Sequence, residues 1–146
     1  MTYSKHYNLV EEFQRTFKQP MALDVVSFNR DRRPLRIKLL KEEEAEMLDA
    51  FADIAYILLG TAVEYSGYER AAMDKYAKVR DLSKSYFGSY KPFDEAFERV
   101  HAANMAKLVD GKPLVNGVTV PMDNSKPYGK ILKPEGWVEP VFDDLV

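Results

Sequence analysis

Apolar residues recur at helical spacing over most of the first 110 residues of the chain. From Leu9 to Phe17 they follow steps of three and four, which predicts an amphipathic helix over residues 7–17. Pro20 follows shortly afterwards, at a position typical of a segment beyond a helix end. The N-terminal segment is therefore expected to form a first helix with one apolar face.

A second and longer helical pattern follows. It begins near Pro34, a residue that suits the first turn of a helix, and continues to about residue 65 before Gly67. Residues 68–86 show a looser helical pattern, which ends before Gly88 and Pro92. Residues 93–109 show a further helical pattern.

From residue 111 onward glycine and proline recur with little periodicity, which indicates an ordered but irregular tail with at most a short hairpin at residues 114–121. The pattern predicts an all-α helical bundle with a long central helix. Its 146 residues are the usual length of one domain, so residues 1–146 are expected to be a single domain.

The central helix carries a stripe of acids. Glu42, Glu46, Asp49 and Asp53 are separated by four, three and four residues, which places the four carboxylates on one helix face. The same stripe begins and ends with apolar residues: Leu35, Leu39, Tyr56 and Val63. These neighbours predict a partly buried acidic seam.

Carboxylates crowded in such a seam must be protonated, paired with cations or bound to a metal, and a hard divalent cation is the simplest neutraliser. The alternative is a solvated or salt-bridged stripe. The apolar segments AFA and IAYILLG on either side of Asp53 argue against that alternative, because an aspartate in apolar surroundings needs a partner.

A second cluster lies on the helix predicted over residues 93–109. His101, Asn104 and Lys107 follow one another at steps of three, so they can present an imidazole, an amide and an ammonium on one side, where an anion could bind. Downstream, the segment GKILKP adds Lys130 and Lys133. Each residue alone is equally typical of an ordinary surface, and only the combination indicates phosphate binding.

Charge and composition narrow the class of protein. The net charge of −2 argues against a general nucleic-acid binder, so no stable nucleic-acid partner is expected. The absence of cysteine excludes a thiolate metal site, and the longest apolar run, IAYILLGTAV, is too short to span a bilayer. The chain starts without a signal-peptide pattern, which predicts a cytoplasmic protein without a membrane partner.

Four segments in order carry a family resemblance: LRIKLLKEEEAE, DAFADIAYILLGTA, FERVHAANMAKLVDGKP and GKILKPEGWVEP. Together they resemble phage and bacterial MazG-like proteins of the all-α nucleoside triphosphate pyrophosphohydrolase superfamily, which includes phosphoribosyl-ATP pyrophosphohydrolase. The resemblance spans nearly the whole chain. It implies Mg²⁺-dependent hydrolysis of a nucleoside triphosphate to a monophosphate and pyrophosphate in a bacterial or phage-infected cytosol, with Mn²⁺ as an alternative metal.

The resemblance also implies roles for individual residues. The family motifs EExxE, ExxD and NxxK match Glu42, Glu43 and Glu46, then Glu46 and Asp49, then Asn104 and Lys107. The implied metal ligands are Glu42, Glu46, Asp49 and Asp53. The implied catalytic residues are Glu43, as the base, and Glu46. The implied substrate-binding residues are His101, Asn104, Lys107, Lys130 and Lys133.

The two acidic motifs overlap in this chain, since Glu46 belongs to both, whereas the family carries them on two antiparallel helices. One continuous helix cannot face its own acids across a metal. The opposing carboxylates are therefore expected from a second protomer of a homodimer or homotetramer, with residues 67–92 as an alternative source of a replacement helix. Two other classes stay open: a non-catalytic nucleotide-binding relative, and a helical scaffold whose acidic stripe pairs with basic residues such as Arg36 of a neighbour.

Overall fold

A computed structural model describes residues 4–19, 32–115, 118–119 and 130–146. Helices dominate these residues, which confirms the predicted all-α class. The elements are α1 (Lys5–Thr16), α2 (Arg33–Glu64), α3 (Glu69–Phe87), α4 (Lys91–Met105), β1 (Leu114–Val115), β2 (Val118–Thr119) and a 3-10 turn (Asp143–Leu145). The chain divides into two compact units, Met1–Ile37 and Lys38–Val146.

The first unit contains α1, which the sequence predicted to within two residues. The helix begins where the Ser4 hydroxyl accepts a hydrogen bond from the backbone N–H of Tyr7, at 3.2 Å. Its apolar stripe is exposed in the single chain, and the rings of Phe13 and Phe17 contact each other at 4.6 Å between centroids.

Helix α2 is continuous over 32 residues, as predicted. Its buried face consists of Ala45, Leu48, Ala52 and Ala55, again at steps of three and four. At about 100° per residue, the centre of the acidic stripe lies roughly 110° around the helix axis from the centre of this face. The acids therefore border the core instead of entering it.

The expectation of a partly buried acidic seam is consequently wrong for most of its length. Asp49 is half-buried, whereas Glu42, Glu46 and Asp53 are exposed, so the apolar segments on either side of Asp53 do not enclose it. Of the apolar ends of the stripe, Tyr56 is half-buried, while Leu35, Leu39 and Val63 are exposed, Val63 at 90%. The packing surface of α2 is instead the neighbouring face with its small alanines, which the prediction from large apolar residues did not include.

Helices α3 and α4 form a hairpin around the core. Gly88 ends α3 in the left-handed region, with φ of +86°, and its N–H donates to the Lys84 carbonyl. Phe93, only 1% exposed, enters the core from the first turn of α4. The prediction placed the end of this last helix at residue 109, but α4 ends at Met105, because Val109 pairs with Lys112 in a tight turn.

The tail begins with a short hairpin, as predicted, in which β1 pairs antiparallel with β2. Residues 130–146 are irregular, but side-chain contacts attach them to α4. Arg99 donates to both carboxylate oxygens of Asp144, at 2.6 and 2.7 Å, and to the Val141 carbonyl at 2.8 Å, while Phe142 is buried in the core. The tail therefore lies along α4. Among the helices of the described ranges, none has both the length and the apolar character that a membrane span requires.

Candidate functional site

A cavity of about 150 Å³ lies between α2, the end of α4 and the tail. Most of its polar walls come from seven residues: Asp49, Asp53, Asn104, Lys107, Lys133, Trp137 and Glu139. Three segments that are distant in the sequence thus contribute carboxylates, ammonium groups, an amide and an indole to one space.

The carboxylate wall belongs to α2. Asp49 and Asp53 are one helical turn apart, at the edge of the buried face defined by Leu48 and Ala52. From this position their side chains lie beside the core and line the cavity. Glu139 of the tail lines the same cavity. In the described part of the chain, a tail glutamate rather than a second acidic helix thus shares the cavity with the α2 acids.

The cationic wall is made by α4 and the tail. Lys107 lies just beyond the end of α4, and its ammonium donates to the Asn104 side-chain oxygen at 2.8 Å. Lys133 lies 3.3 Å from the carboxylate of Glu139. Both lysines are therefore held by a polar neighbour while they line the cavity.

Trp137 connects these two lysines. Its indole N–H donates to the Ala103 carbonyl at 2.7 Å, which fixes the half-buried ring against α4. The ammonium groups of Lys107 and Lys133 lie 5.3 and 4.8 Å from the ring centroid, within the range of cation–π attraction.

The electrostatics of the cavity follow from this mixture of charges. Desolvation raises the pKa of Asp49, and the negative charges of Asp53 and Glu139 raise it further. Desolvation also raises the pKa of Asp53, against the opposing effect of Lys107 and Lys133. Asp49 is thus the carboxylate with unrelieved repulsion, and a bound cation would relieve it.

A second cavity of about 480 Å³ adjoins the first and shares Asp53, Asn104 and Lys107 with it. Its remaining walls are more apolar: Tyr56, Ile57 and Ile131. The two cavities place a charged compartment beside a roomier, aromatic and aliphatic one. This combination suits a ligand with a charged end and an apolar ring.

Not all the residues predicted for the site reach these cavities. The Nδ1 atom of His101 is 2.9 Å from the Tyr56 hydroxyl, and His101 supports the wall from outside. Glu42 and Glu46 line a separate groove of about 310 Å³, together with Asp49 and Glu139. Glu43 and Lys130 are exposed and belong to none of these three linings.

The structure therefore brings together one subset of the predicted residues: Asp49, Asp53, Asn104, Lys107 and Lys133. It adds two that sequence reasoning missed, Trp137 and Glu139. The signal that could have identified them was the segment GKILKPEGWVEP, which contains the chain's single tryptophan and an acid two residues later.

The carboxylates of the cavity suit a metal ion that is coordinated partly by the protein and partly by a bound ligand. Across the described ranges, no three His, Asp or Glu side chains converge as a complete cation site. Mg²⁺, however, is usually bound by one or two carboxylates, with water and substrate phosphates as its other ligands. Asp49 and Asp53 supply carboxylates of that kind, beside lysines that could bind the phosphates.

Comparison of the chain with protein-family models, curated proteins and solved structures finds no match in any of the three.

Proposed function

We propose that the protein is a Mg²⁺-dependent nucleoside triphosphate pyrophosphohydrolase that releases a nucleoside monophosphate and pyrophosphate. One observation carries this proposal. Residues that the sequence motifs single out in three separate segments line a common cavity: Asp49 and Asp53, Asn104 and Lys107, and Lys133. The carboxylates that a metal ion needs and the ammonium groups that phosphates need thus lie in one space.

In this proposal Asp49 and Asp53 hold the metal. When bound, Mg²⁺ neutralises part of the triphosphate charge and polarises the phosphoryl group. Lys107 and Lys133 stabilise the negative charge that develops on the leaving pyrophosphate, and Asn104 orients Lys107 through the 2.8 Å hydrogen bond. Preorganised donors of this kind stabilise developing charge without having to rearrange at the moment of reaction.

The adjoining cavity is proposed to hold the nucleoside. A base and sugar need a larger and more apolar space than the phosphates do, and Tyr56, Ile57 and Ile131 line such a space. Asp53 and Lys107 line both cavities, so a single ligand could extend from one to the other.

A carboxylate is proposed to accept the proton of the attacking water. Of the two glutamates that the resemblance assigns to catalysis, Glu46 lies in the groove that contains Asp49, whereas Glu43 is exposed outside it. We therefore favour Glu46 over Glu43 for this role in the single chain. A general base must be within hydrogen-bond reach of the proton it takes, directly or through one water.

Matched variants test the proposal. We expect the Asp53→Asn variant to lose Mg²⁺-dependent release of pyrophosphate from nucleoside triphosphates, because it removes one carboxylate at nearly constant size. The same change at Asp74, an exposed residue of α3 away from the cavities, should leave turnover intact. Equal turnover in the wild type and Asp53→Asn would contradict the proposal.

A second candidate is a nucleotide-binding protein without turnover. It is favoured by one observation: the implied ligands Glu42 and Glu46 lie in the outer groove, and no complete three-ligand metal site forms among the described residues. Calorimetry separates the two candidates. Nucleotide binding without product release, from folded wild-type protein, would identify the second.

A homodimer or homotetramer is part of the main proposal. On the second unit of the chain, α2 exposes Ile54 and Ile57 to 45% and 70%, three residues apart on one helix face, and neighbouring exposed apolar side chains are typical of a helix that packs against a partner. A second protomer could thereby bring acids to the cavity. Sedimentation velocity at several concentrations would measure the oligomeric state.

A further inference from the structure

We infer that Trp137 is a positioning residue that holds Lys107 and Lys133 as one two-ammonium clamp for the pyrophosphate part of the ligand. This inference rests on the proposed function, because it concerns the same cavity. The residue itself touches the lysines rather than the reacting atoms, so its effect is exerted through them.

The first step is the origin of the two lysines. Lys107 follows α4 and Lys133 belongs to the irregular tail, so no common secondary-structure element fixes the distance between their ammonium groups. The indole is a side chain that both contact, at 5.3 and 4.8 Å from its centroid. It therefore acts as a common reference for both charges.

The second step is the rigidity of the ring. The indole N–H is committed to the Ala103 carbonyl of α4 at 2.7 Å, so the ring has a fixed place on a helix. A lysine ammonium on its flexible four-carbon stem otherwise loses much rotamer freedom when it binds an anion. Ammonium groups that are already held on the ring lose less.

The third step is the class of ligand. Two positioned ammonium groups match two linked phosphates better than one isolated phosphate. The carboxylates of Asp49 and Asp53 in the same cavity would repel a bare anion, so the phosphates should enter with a divalent cation. The expected ligand of the clamp is therefore magnesium pyrophosphate, either free or as the end of a nucleoside triphosphate.

Binding measurements on the folded full-length chain test this inference. The wild type should show a change in tryptophan emission on titration with magnesium pyrophosphate, because Trp137 is the single tryptophan of the sequence. In calorimetry, the Trp137→Leu variant should bind magnesium pyrophosphate about five- to thirty-fold more weakly, since two lysine side chains that the ring no longer holds must be ordered on binding. Orthophosphate binding should change less than about twofold, because one phosphate does not need the paired spacing.

Conservative and control variants separate positioning from general damage. Trp137→Phe keeps a ring and should retain most of the preference for pyrophosphate. Tyr90 is a matched control, because its ring also carries two cations, Arg80 at 3.8 Å and Lys84 at 4.5 Å, outside the cavity. Tyr90→Leu should leave pyrophosphate binding unchanged, with circular dichroism used to confirm that each variant is folded.

A double-mutant cycle gives the sharpest readout. Trp137→Leu should weaken pyrophosphate binding much less in a Lys133→Met background than in the wild type, since part of its effect passes through that lysine. Additive effects, equal losses for pyrophosphate and orthophosphate, or a Trp137→Phe variant as weak as Trp137→Leu would each overturn the inference.

The two proposals fail separately. Selective loss of pyrophosphate binding in the Trp137 variants, together with a wild type that releases no product from nucleoside triphosphates, would keep the clamp and remove the enzyme. Product release by the wild type, together with unchanged pyrophosphate binding in Trp137→Leu, would keep the enzyme and remove the clamp.

Discussion

Replacing Asp49 by asparagine is expected to stabilise the fold at neutral pH while it removes the response to Mg²⁺. Desolvation raises the pKa of Asp49, and the negative charges of Asp53 and Glu139 raise it further. None of the causes of this shift is a positive charge that would lower the pKa. The charge of Asp49 is therefore unfavourable in the folded protein. Asparagine has nearly the same size and helix propensity, so the substitution isolates the charge.

The size of the effect follows from the pair interactions. Like charges four residues apart on a helix cost about 0.2–0.5 kcal/mol, and repulsion from Glu139 adds a similar amount at a partly exposed site. The expected gain is about 0.5–1 kcal/mol in the free energy of unfolding. For a chain of this length, that corresponds to a rise in Tm of about 1–4 °C.

The gain should depend on pH with a definite sign. Because the folded-state pKa of Asp49 lies above its ordinary value of 3.8, the folded protein binds this proton more readily than the unfolded chain. Stability from this group is therefore fully present below the ordinary pKa, and it is lost as the pH rises through the raised pKa. The difference in Tm between Asp49→Asn and the wild type should be small near pH 3 and full at pH 7.

Differential scanning calorimetry of both proteins between pH 3 and pH 8, with and without Mg²⁺, measures these quantities. Mg²⁺ should raise the Tm of the wild type, by an amount equivalent to about 2.7 kcal/mol at a hundred times its Kd, and should leave Asp49→Asn nearly unchanged. A variant less stable than the wild type at pH 7, or equally stabilised at pH 3 and pH 7, would contradict this prediction. A wild type indifferent to Mg²⁺ would favour the helical scaffold.

Three further predictions concern the core, the tail and the oligomer. Phe93→Ala should lower the free energy of unfolding by about 3–5 kcal/mol in urea denaturation, because the ring is only 1% exposed in the core. Asp144→Asn should raise the KM for nucleotide with little change in the denaturation midpoint. The change weakens the contact of the tail with Arg99 and so loosens the tail residue Lys133. Ile54→Glu should reduce the oligomer to monomers in sedimentation velocity, because it places a charge on an exposed apolar position of α2.

Each of these has a clear contrary result. A Phe93→Ala midpoint equal to that of the wild type would mean that the core is not where the structure has it. An unchanged KM in Asp144→Asn would show that the Arg99 contact does not affect the cavity. An oligomer that survives Ile54→Glu would exclude this face of α2 as the interface.

The helical fold could be predicted because periodicity reports it directly. The continuous α2, the first helix and the hairpin near residue 114 all follow from spacing, proline and glycine. The end of α4 could not be placed, since Met105, Leu108 and Val109 continue an apolar helical pattern. The turn that stops the helix depends on the pairing of Val109 with Lys112.

The site could be predicted only in part, for a related reason. Spacing placed the acids on one face of α2, but it could not show that small alanines would form the packing surface and leave Glu42 and Glu46 outside the core. The contribution of Trp137 and Glu139 depends on how an aperiodic tail attaches to α4, which is set by tertiary contacts such as the bond from the indole to Ala103.

The most direct test of the proposed function is the identity of the products. Metal-stripped protein would be incubated with each common ribonucleoside and deoxyribonucleoside triphosphate, with and without Mg²⁺, and the products separated by ion-exchange chromatography. We expect equal amounts of monophosphate and pyrophosphate, formed only with Mg²⁺. Release of diphosphate and orthophosphate, or no product from folded protein across the whole panel, would contradict it.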